Sequence, residues 1–311
     1  MQIHPSIRSA ATLVAFSLVL ARCDSLESPL GEENRFVVES YHQVGQPLGN
    51  VRFTRAADID GIYLPDDRAI SGADVRIYLI APDGSQEKEF LYRESGDEPG
   101  VYEPLAPEPV LEAREYELEI THPEAAGTIR ASTFTPESFE IVRPALDEVV
   151  YQQQPQFEFG VTRSNFPGRQ SIFVFSVESL NPKIEALTPI YFDIIDPLDD
   201  DMADLTEEQI LQDYVVFESP PIFEGNYEVL PDNTINIKLP WFAIVFFGPN
   251  KIHASALDEN LYDFLRSVQI QQGGSTLAPG EIPNVINRIE GATGIFGMYS
   301  RVSQDTNVLR E

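Results

Sequence analysis

"DVRIYLIAPDGSQEKEFLYRE", residues 74–94, is the stretch that decides the fold class. Val75, Ile77 and Leu79 recur with a period of two, which places them on one face of an extended strand. Asp83-Gly84 follows as a hairpin turn, and "KEFLYRE" (88–94) returns as the partner strand. Downstream come "GVYEPL" (100–105), "REYELEITH" (114–122) and "GTIRASTFT" (127–135). In "REYELEITH", Tyr116, Leu118 and Ile120 share a core face while Glu115, Glu117 and Glu119 share a water face. Upstream, "RFVVESY" (35–41) and "VRFTRA" (51–56) flank the turn residues of "GQPLGN" and read as another hairpin. Short strands at roughly 8 to 15 residue spacing, with turn signals between them, predict a β-sandwich over residues 35–136.

Near Pro136 and Pro144 the period is lost, and a second β-rich domain is expected over 137–311. Its strands are "QFEFGVTR" (156–163), "SIFVFSVES" (171–179), "NYEVL" (226–230), "TINIKLP" (234–240) and "WFAIVFF" (241–247), with a hairpin turn at Pro231-Asp232-Asn233. One amphipathic helix is expected over 257–272. Leu257, Leu261, Phe264, Leu265 and Val268 lie at helical spacing, Ser255 and Asp258 form the N-terminal cap, and Gly273 is the stop. Its outer face carries Glu259, Asp263 and Gln269, which suits packing on its own sheet better than a membrane surface. A last strand is expected at 294–303.

The single cysteine, Cys23, stands in "LVLARCDSLES" (18–28), where an apolar run gives way to an acidic one. Arg8 precedes an uncharged stretch from Ala10 to Ala21, too short for the roughly 20 apolar residues of a membrane span but suited to an export signal. Residues 1–22 therefore read as a signal peptide and 23–34 as a lipid-anchored tether. Leu20-Ala21-Arg22-Cys23 resembles the lipobox of bacterial lipoproteins, which implies lipidation at Cys23; Arg22 departs from the small residue normal at that position. The alternative, an ordinary signal followed by a free exported thiol, is the unusual case. Each buried methylene of an acyl chain contributes about 0.8 kcal/mol, so two or three chains anchor stably.

Fifty acidic residues stand against 21 basic ones, a net charge of −29, and only four of the basic residues are lysine. Such a chain repels nucleic acid and anionic lipid. Acidic residues spread along both halves describe a solvated coat of the kind found in salty habitats, where screening at high ionic strength relieves self-repulsion.

Chemistry is sparse. Beyond the signal only His42, His122 and His253 remain, none beside another histidine or cysteine at ligand spacing, and there is no H-E-x-x-H, G-x-S-x-G or Walker loop. Gly291, Gly294 and Gly297 are spaced wrongly for a dinucleotide loop and run into a strand. "DIIDPLDDDMADLTEEQ" gathers Asp193, Asp196, Asp199, Asp200, Asp201 and Asp204; it reads as an exposed acidic loop leading into a Thr206–Gln209 capping box, with a calcium site as the sharper alternative. Asp58 and Asp60 in "DIDG" are a weaker candidate. No catalytic, cofactor-binding or metal-binding residue is assigned.

Together, "LARC", "SGADVRIYLIAPDG", "GVYEPL", "REYELEITH" and the C-terminal "LYDFLRSVQIQQGG…IPNVINRIEGATGIFGMYS" resemble a family of Bacteroidota envelope lipoproteins known as a domain of unknown function. The resemblance implies an Ig/transthyretin-like N-terminal sandwich and lipid anchoring in the outer membrane, on its periplasmic face or the cell surface. It also implies a TonB-dependent receptor as partner, hence an accessory binding protein of nutrient uptake. A structural or adhesive envelope protein is the alternative, and an extracellular hydrolase the third reading.

Overall fold

The structure, a computed structural model, describes residues 36–56, 68–153, 157–197, 205–271 and 286–311. The signal peptide, Cys23, the tether, Asp58, Asp60, Asp199, Asp200, Asp201, Asp204 and Gly273 lie outside the described residues.

The protein is mainly β. The order is β1 (Phe36–Gln43), β2 (Val51–Arg55), β3 (Asp74–Ile80), β4 (Gln86–Glu94), β5 (Val101–Pro104), β6 (Glu115–Thr121) and β7 (Ile129–Phe134). Then come β8 (Ile141–Arg143), β9 (Glu148–Val150), β10 (Glu158–Val161), β11 (Ile172–Ser179), α1 (Pro189–Ile195) and α2 (Glu207–Leu211). The chain continues through β12 (Val216–Glu218), β13 (Ile222–Phe223), β14 (Glu228–Val229), β15 (Ile235–Lys238), β16 (Gly248–Leu257), α3 (Glu259–Gln271) and β17 (Thr293–Leu309).

Local chemistry explains the hairpins. β3 and β4 pair antiparallel across Asp83-Gly84, with Gly84 at φ +82° and Asp83 Oδ1 accepting from the Ser85 amide at 3.0 Å. β1 and β2 pair antiparallel, as do β14 and β15 around Asn233 at φ +67°. On β6 the alternation is complete: Tyr116, Leu118 and Ile120 are buried, and the glutamates between them are not. The Thr206–Gln209 capping box opens α2 with both of its hydrogen bonds formed.

One sheet of thirteen strands runs along the path β12-β11-β16-β17-β1-β2-β5-β4-β3-β6-β7, with β13 added on β11 and β9 on β17. A second sheet has the order β14-β15-β10-β8. Residues Phe36–Glu311 form one compact unit holding two main hydrophobic cores. The first takes side chains from β1 to β7 together with Ile289, Phe296 and Met298 from the far end of the chain. The second is enclosed between the small sheet and the β11-β16-β17 region, with Phe157, Phe159, Ile235 and Ile237 facing Phe173, Phe175, Ile252 and Ala254.

The long strand β17 joins the two. Its first half pairs parallel with β1, Val38 opposite Gly294, and its last residues pair with β9. Gly294 has φ +113°, and a Cβ there would overlap the Val38 carbonyl. Gly297 is needed for space, because a Cβ would press on Leu261 of α3. Glycine at both positions lets β1 close on one edge of β17 while α3 seats on its face. The start of α3 is tied down by Asp258: its Oδ1 accepts from the Leu261 amide at 2.7 Å, and its Oδ2 accepts from the Met298 amide at 2.6 Å and from the Thr133 hydroxyl. Asn260 Nδ2 donates to the Ser132 and Phe296 carbonyls at 2.9 and 2.8 Å.

Three local expectations are corrected. The helix begins at Glu259, not 257: Asp258 caps it, whereas Ser255 and Leu257 belong to β16, whose alternation of Lys251, His253 and Ser255 with Ile252, Ala254 and Ala256 is a strand pattern. "WFAIVFF" is no strand: Trp241–Ala243 form a 3-10 turn after Pro240, and Ala243, Ile244, Val245 and Phe246 are all buried, so the run carries no period to read. The last strand extends from Thr293 to Leu309 because β16 pairs with it as far as Val308.

Candidate functional site

A cavity of about 270 Å³ opens where β8 ends, lined by Arg143, Pro144, Leu146, Val149, Phe157, Glu158, Phe159, Gly160 and Asn236. Its origin can be traced along the chain. β8 pairs antiparallel with β10, Arg143 opposite Gly160, so continued pairing would set Ala145 opposite Glu158. Pro144 intervenes and has no N–H to donate to a ladder. Beyond it, Ala145 turns to β17, where the Gln304 side chain accepts from its amide at 2.9 Å and donates to its carbonyl at 2.8 Å. The edge of β10 is thereby uncovered.

Backbone direction follows from the ladder. The Leu239 amide donates to the Phe157 carbonyl on the β15 side, and the Thr162 amide donates to the Glu140 carbonyl on the β8 side. Alternation then aims the N–H and C=O of Glu158 at the cavity. Among the described residues no main-chain group pairs with them.

Arg143 crosses β10 over Gly160, where a Cβ would come within 2.7 Å of the guanidinium, and its Nη2 donates to Asn236 Oδ1 at 3.3 Å. Asn236 Nδ2 donates in turn to Glu228 Oε2 at 3.1 Å, and Lys238 Nζ reaches the same oxygen at 3.4 Å. These bonds, together with the positive charges of Lys238 and Arg143, hold the Glu228 carboxyl below its usual range. Among the described residues no carboxylate lies at ion-pair distance from Arg143, whereas Arg76, Arg114, Arg130, Arg163, Arg169 and Arg288 all have one. The walls are apolar: Phe157, Phe159 and Val149 are buried, and Leu146 is an exposed rim residue. A concave apolar site with a few convergent polar groups is the usual form of a ligand pocket.

The domain of unknown function DUF4249 matches residues 24–305. The chain belongs to this DUF4249 family. No curated protein matches it. Among solved structures, the Salmonella alpha-2-macroglobulin reacted with methylamine aligns at 12% identity and TM-score 0.23, over 88% of the DUF4249 chain and 14% of the macroglobulin. Escherichia coli alpha-2-macroglobulin activated by porcine elastase aligns at 10% identity and TM-score 0.23, over 88% and 20%. The I-band fragment I67-I69 from titin aligns at 12% identity and TM-score 0.20, over 89% and 65%. The DUF4249 chain thus spans about a fifth or less of the macroglobulins, and likeness at these scores carries no argument.

Of the three histidines in the described part of this DUF4249 chain, His42 is fully buried, with the Gly49 amide donating to its Nδ1 at 2.9 Å and Nε2 against Ser40 Oγ at 2.7 Å; burial lowers its pKa to about 3. His122 packs edge-on to Phe36 and Phe53. His253 lies between Ser303 Oγ, 2.7 Å from Nδ1, and Glu178 Oε2, 3.1 Å from Nε2, across the adjacent strands β17, β16 and β11. Burial lowers its pKa against the opposing pull of Glu178. The line resembles an acid-base-hydroxyl relay, but Ser303 stands exposed on an extended strand.

Asp193 lies on α1 and Asp196 caps its end at φ 43°. No group of three or more His, Cys, Asp or Glu among the described residues is placed to hold a metal ion. No described helix is long and apolar enough to cross a membrane. Arg143 was not among the sequence candidates. The available signals were the Arg143-Pro144 pair, which ends a strand, and the lone Gly160 inside a strand, which marks close approach of another group.

Proposed function

We propose that this DUF4249 chain is a lipid-anchored binding protein of the cell envelope, acting through the Arg143 pocket as an accessory to a TonB-dependent outer-membrane uptake system. The pocket carries the reading: a guanidinium that makes no ion pair among the described residues, an open main-chain edge and apolar walls converge on one cavity. Binding suits a site whose polar groups are a guanidinium, an amide side chain, a single carboxylate from Glu158 and main-chain groups. Anchoring falls to Cys23. In support, the family match begins at residue 24, directly after the cysteine. The acidic surface, at −29 overall, keeps such a protein off anionic headgroups and leaves the acyl chains as its attachment.

The test is a pull-down of C-terminally tagged protein from detergent-solubilised membranes of the native host at native salt, with partners identified by mass spectrometry. Stoichiometric recovery of a TonB-dependent receptor is expected. Recovery of the protein alone, or of surface-layer components, would overturn the transport role in favour of a structural one.

A further inference from the structure

We infer that the Arg143 pocket takes the carboxyl end of an extended peptide whose last residue is apolar. The inference rests on the binding reading above and gives it a ligand class. Three observations converge.

The first is the guanidinium. Its planar fork matches a carboxylate in two parallel hydrogen bonds. Among the described residues Arg143 makes no ion pair and donates only to the Asn236 amide oxygen; Glu228 and Asp232 feel its charge from farther off, and a carboxylate brought into contact would gain the direct pair they lack. The second is the uncovered edge of β10. The N–H and C=O of Glu158 form the donor and acceptor pair that an added strand uses, and the segment that would have filled it, Pro144-Ala145, is held away by Gln304. An extended ligand laid there runs parallel to β10 and opposite to β8, so that its carboxyl end, not its amino end, meets Arg143. The third is the wall. Leu146 and Pro144, exposed over the buried Phe157, Phe159 and Val149, offer an apolar seat for one side chain.

Size and charge narrow the class. At about 270 Å³ the cavity lies below the roughly 300 to 1,000 Å³ of drug-sized sites and holds one or two residues. Beyond Gly160 the edge is occupied by Arg143 of β8, so the ligand ends there, with its carboxylate at the guanidinium. The Glu158 carboxyl also lines the cavity, and Glu228 lies behind Asn236. A second negative charge would meet both, which disfavours phosphates and dicarboxylates and favours a single carboxylate on an apolar residue.

Isothermal titration of the full chain in detergent, at moderate salt, tests this with N-acetyl-glycyl-phenylalanine and its C-terminal amide. The acid is expected to bind at least about 10-fold more tightly than the amide, since only the acid makes a charge-assisted pair. Arg143 is exposed, so Arg143→Met should fold as wild type by circular dichroism and bind acid and amide alike. Equal affinity of wild type for acid and amide would overturn the carboxylate assignment and leave the pocket as a binding site. Binding of neither peptide would overturn the ligand class, and the pull-down then judges the binding role separately.

Discussion

Replacing Gly294 by alanine should break the fold at the point where the two ends of the chain meet. Val38 of β1 lies opposite Gly294 of β17, and a Cβ there would stand 3.0 Å from both the Val38 amide nitrogen and its carbonyl carbon, with the carbonyl oxygen nearer still. The atoms in the way are main chain in a paired strand, so no side chain can swing aside. Two costs add. A non-glycine residue at φ +113° is strained by about 1 to 3 kcal/mol, and forced separation of packed strands costs roughly another 1 to 3 kcal/mol. Gly84→Ala is the matched control: it has φ +82° but nothing within 4 Å of the added carbon, so it pays only the backbone strain of about 1 to 2 kcal/mol. Urea unfolding followed by circular dichroism should therefore show Gly294→Ala less stable than Gly84→Ala by about 2 to 3 kcal/mol, a large share of a total of roughly 5 to 15 kcal/mol. Equal destabilisation by the two variants would mean that β1 does not lie against β17 in this register.

Three further outcomes are expected. Burial raises the Asp258 carboxyl to about 7 against its hydrogen bonds, so the protonated form is favoured in the fold, and this contribution is full below about pH 4 and lost as pH rises to 7. The difference in unfolding free energy between wild type and Asp258→Asn should accordingly shift by about 3 kcal/mol between pH 4 and 7, while His42, whose burial acts below pH 6.5, cancels from it; a difference independent of pH would refute the assignment. With a net charge of −29, the melting temperature should climb as NaCl rises from about 0.05 to 1 M, where the Debye length falls to roughly 3 Å, and a flat or falling profile would contradict the halophilic reading. Cys23→Ala should move the protein from the membrane pellet to the soluble fraction and abolish palmitate labelling; unchanged fractionation would exclude the cysteine as the anchor.

What could be read from sequence was local. The Asp83-Gly84 hairpin, the face of Tyr116, Leu118 and Ile120, and the Thr206–Gln209 capping box each depend on residues a few positions apart, and each formed as its chemistry requires. What could not be read depends on distant partners. β1 finds β17 more than 250 residues away, and Gly294, whose φ of +113° admits the close approach, shows in the sequence only as a glycine running into a strand. β16 was hidden because Ser255 and Leu257 also fit a helix start, and the packing of Ile252, Ala254 and Ala256 into the second core decides for the strand. The pocket exists because Gln304 captures Ala145 from 159 residues away, and the His253 line exists because three strands become neighbours. No spacing rule encodes either.

The open edge of β10 is the claim on which the binding account stands, and amide hydrogen exchange at single-residue resolution measures it directly. The Glu158 amide should exchange orders of magnitude faster than those of Phe159 and Val161, which face β15, and should slow when N-acetyl-glycyl-phenylalanine is added. A Glu158 amide already protected in the free protein would mean that the edge is covered, and would contradict the account.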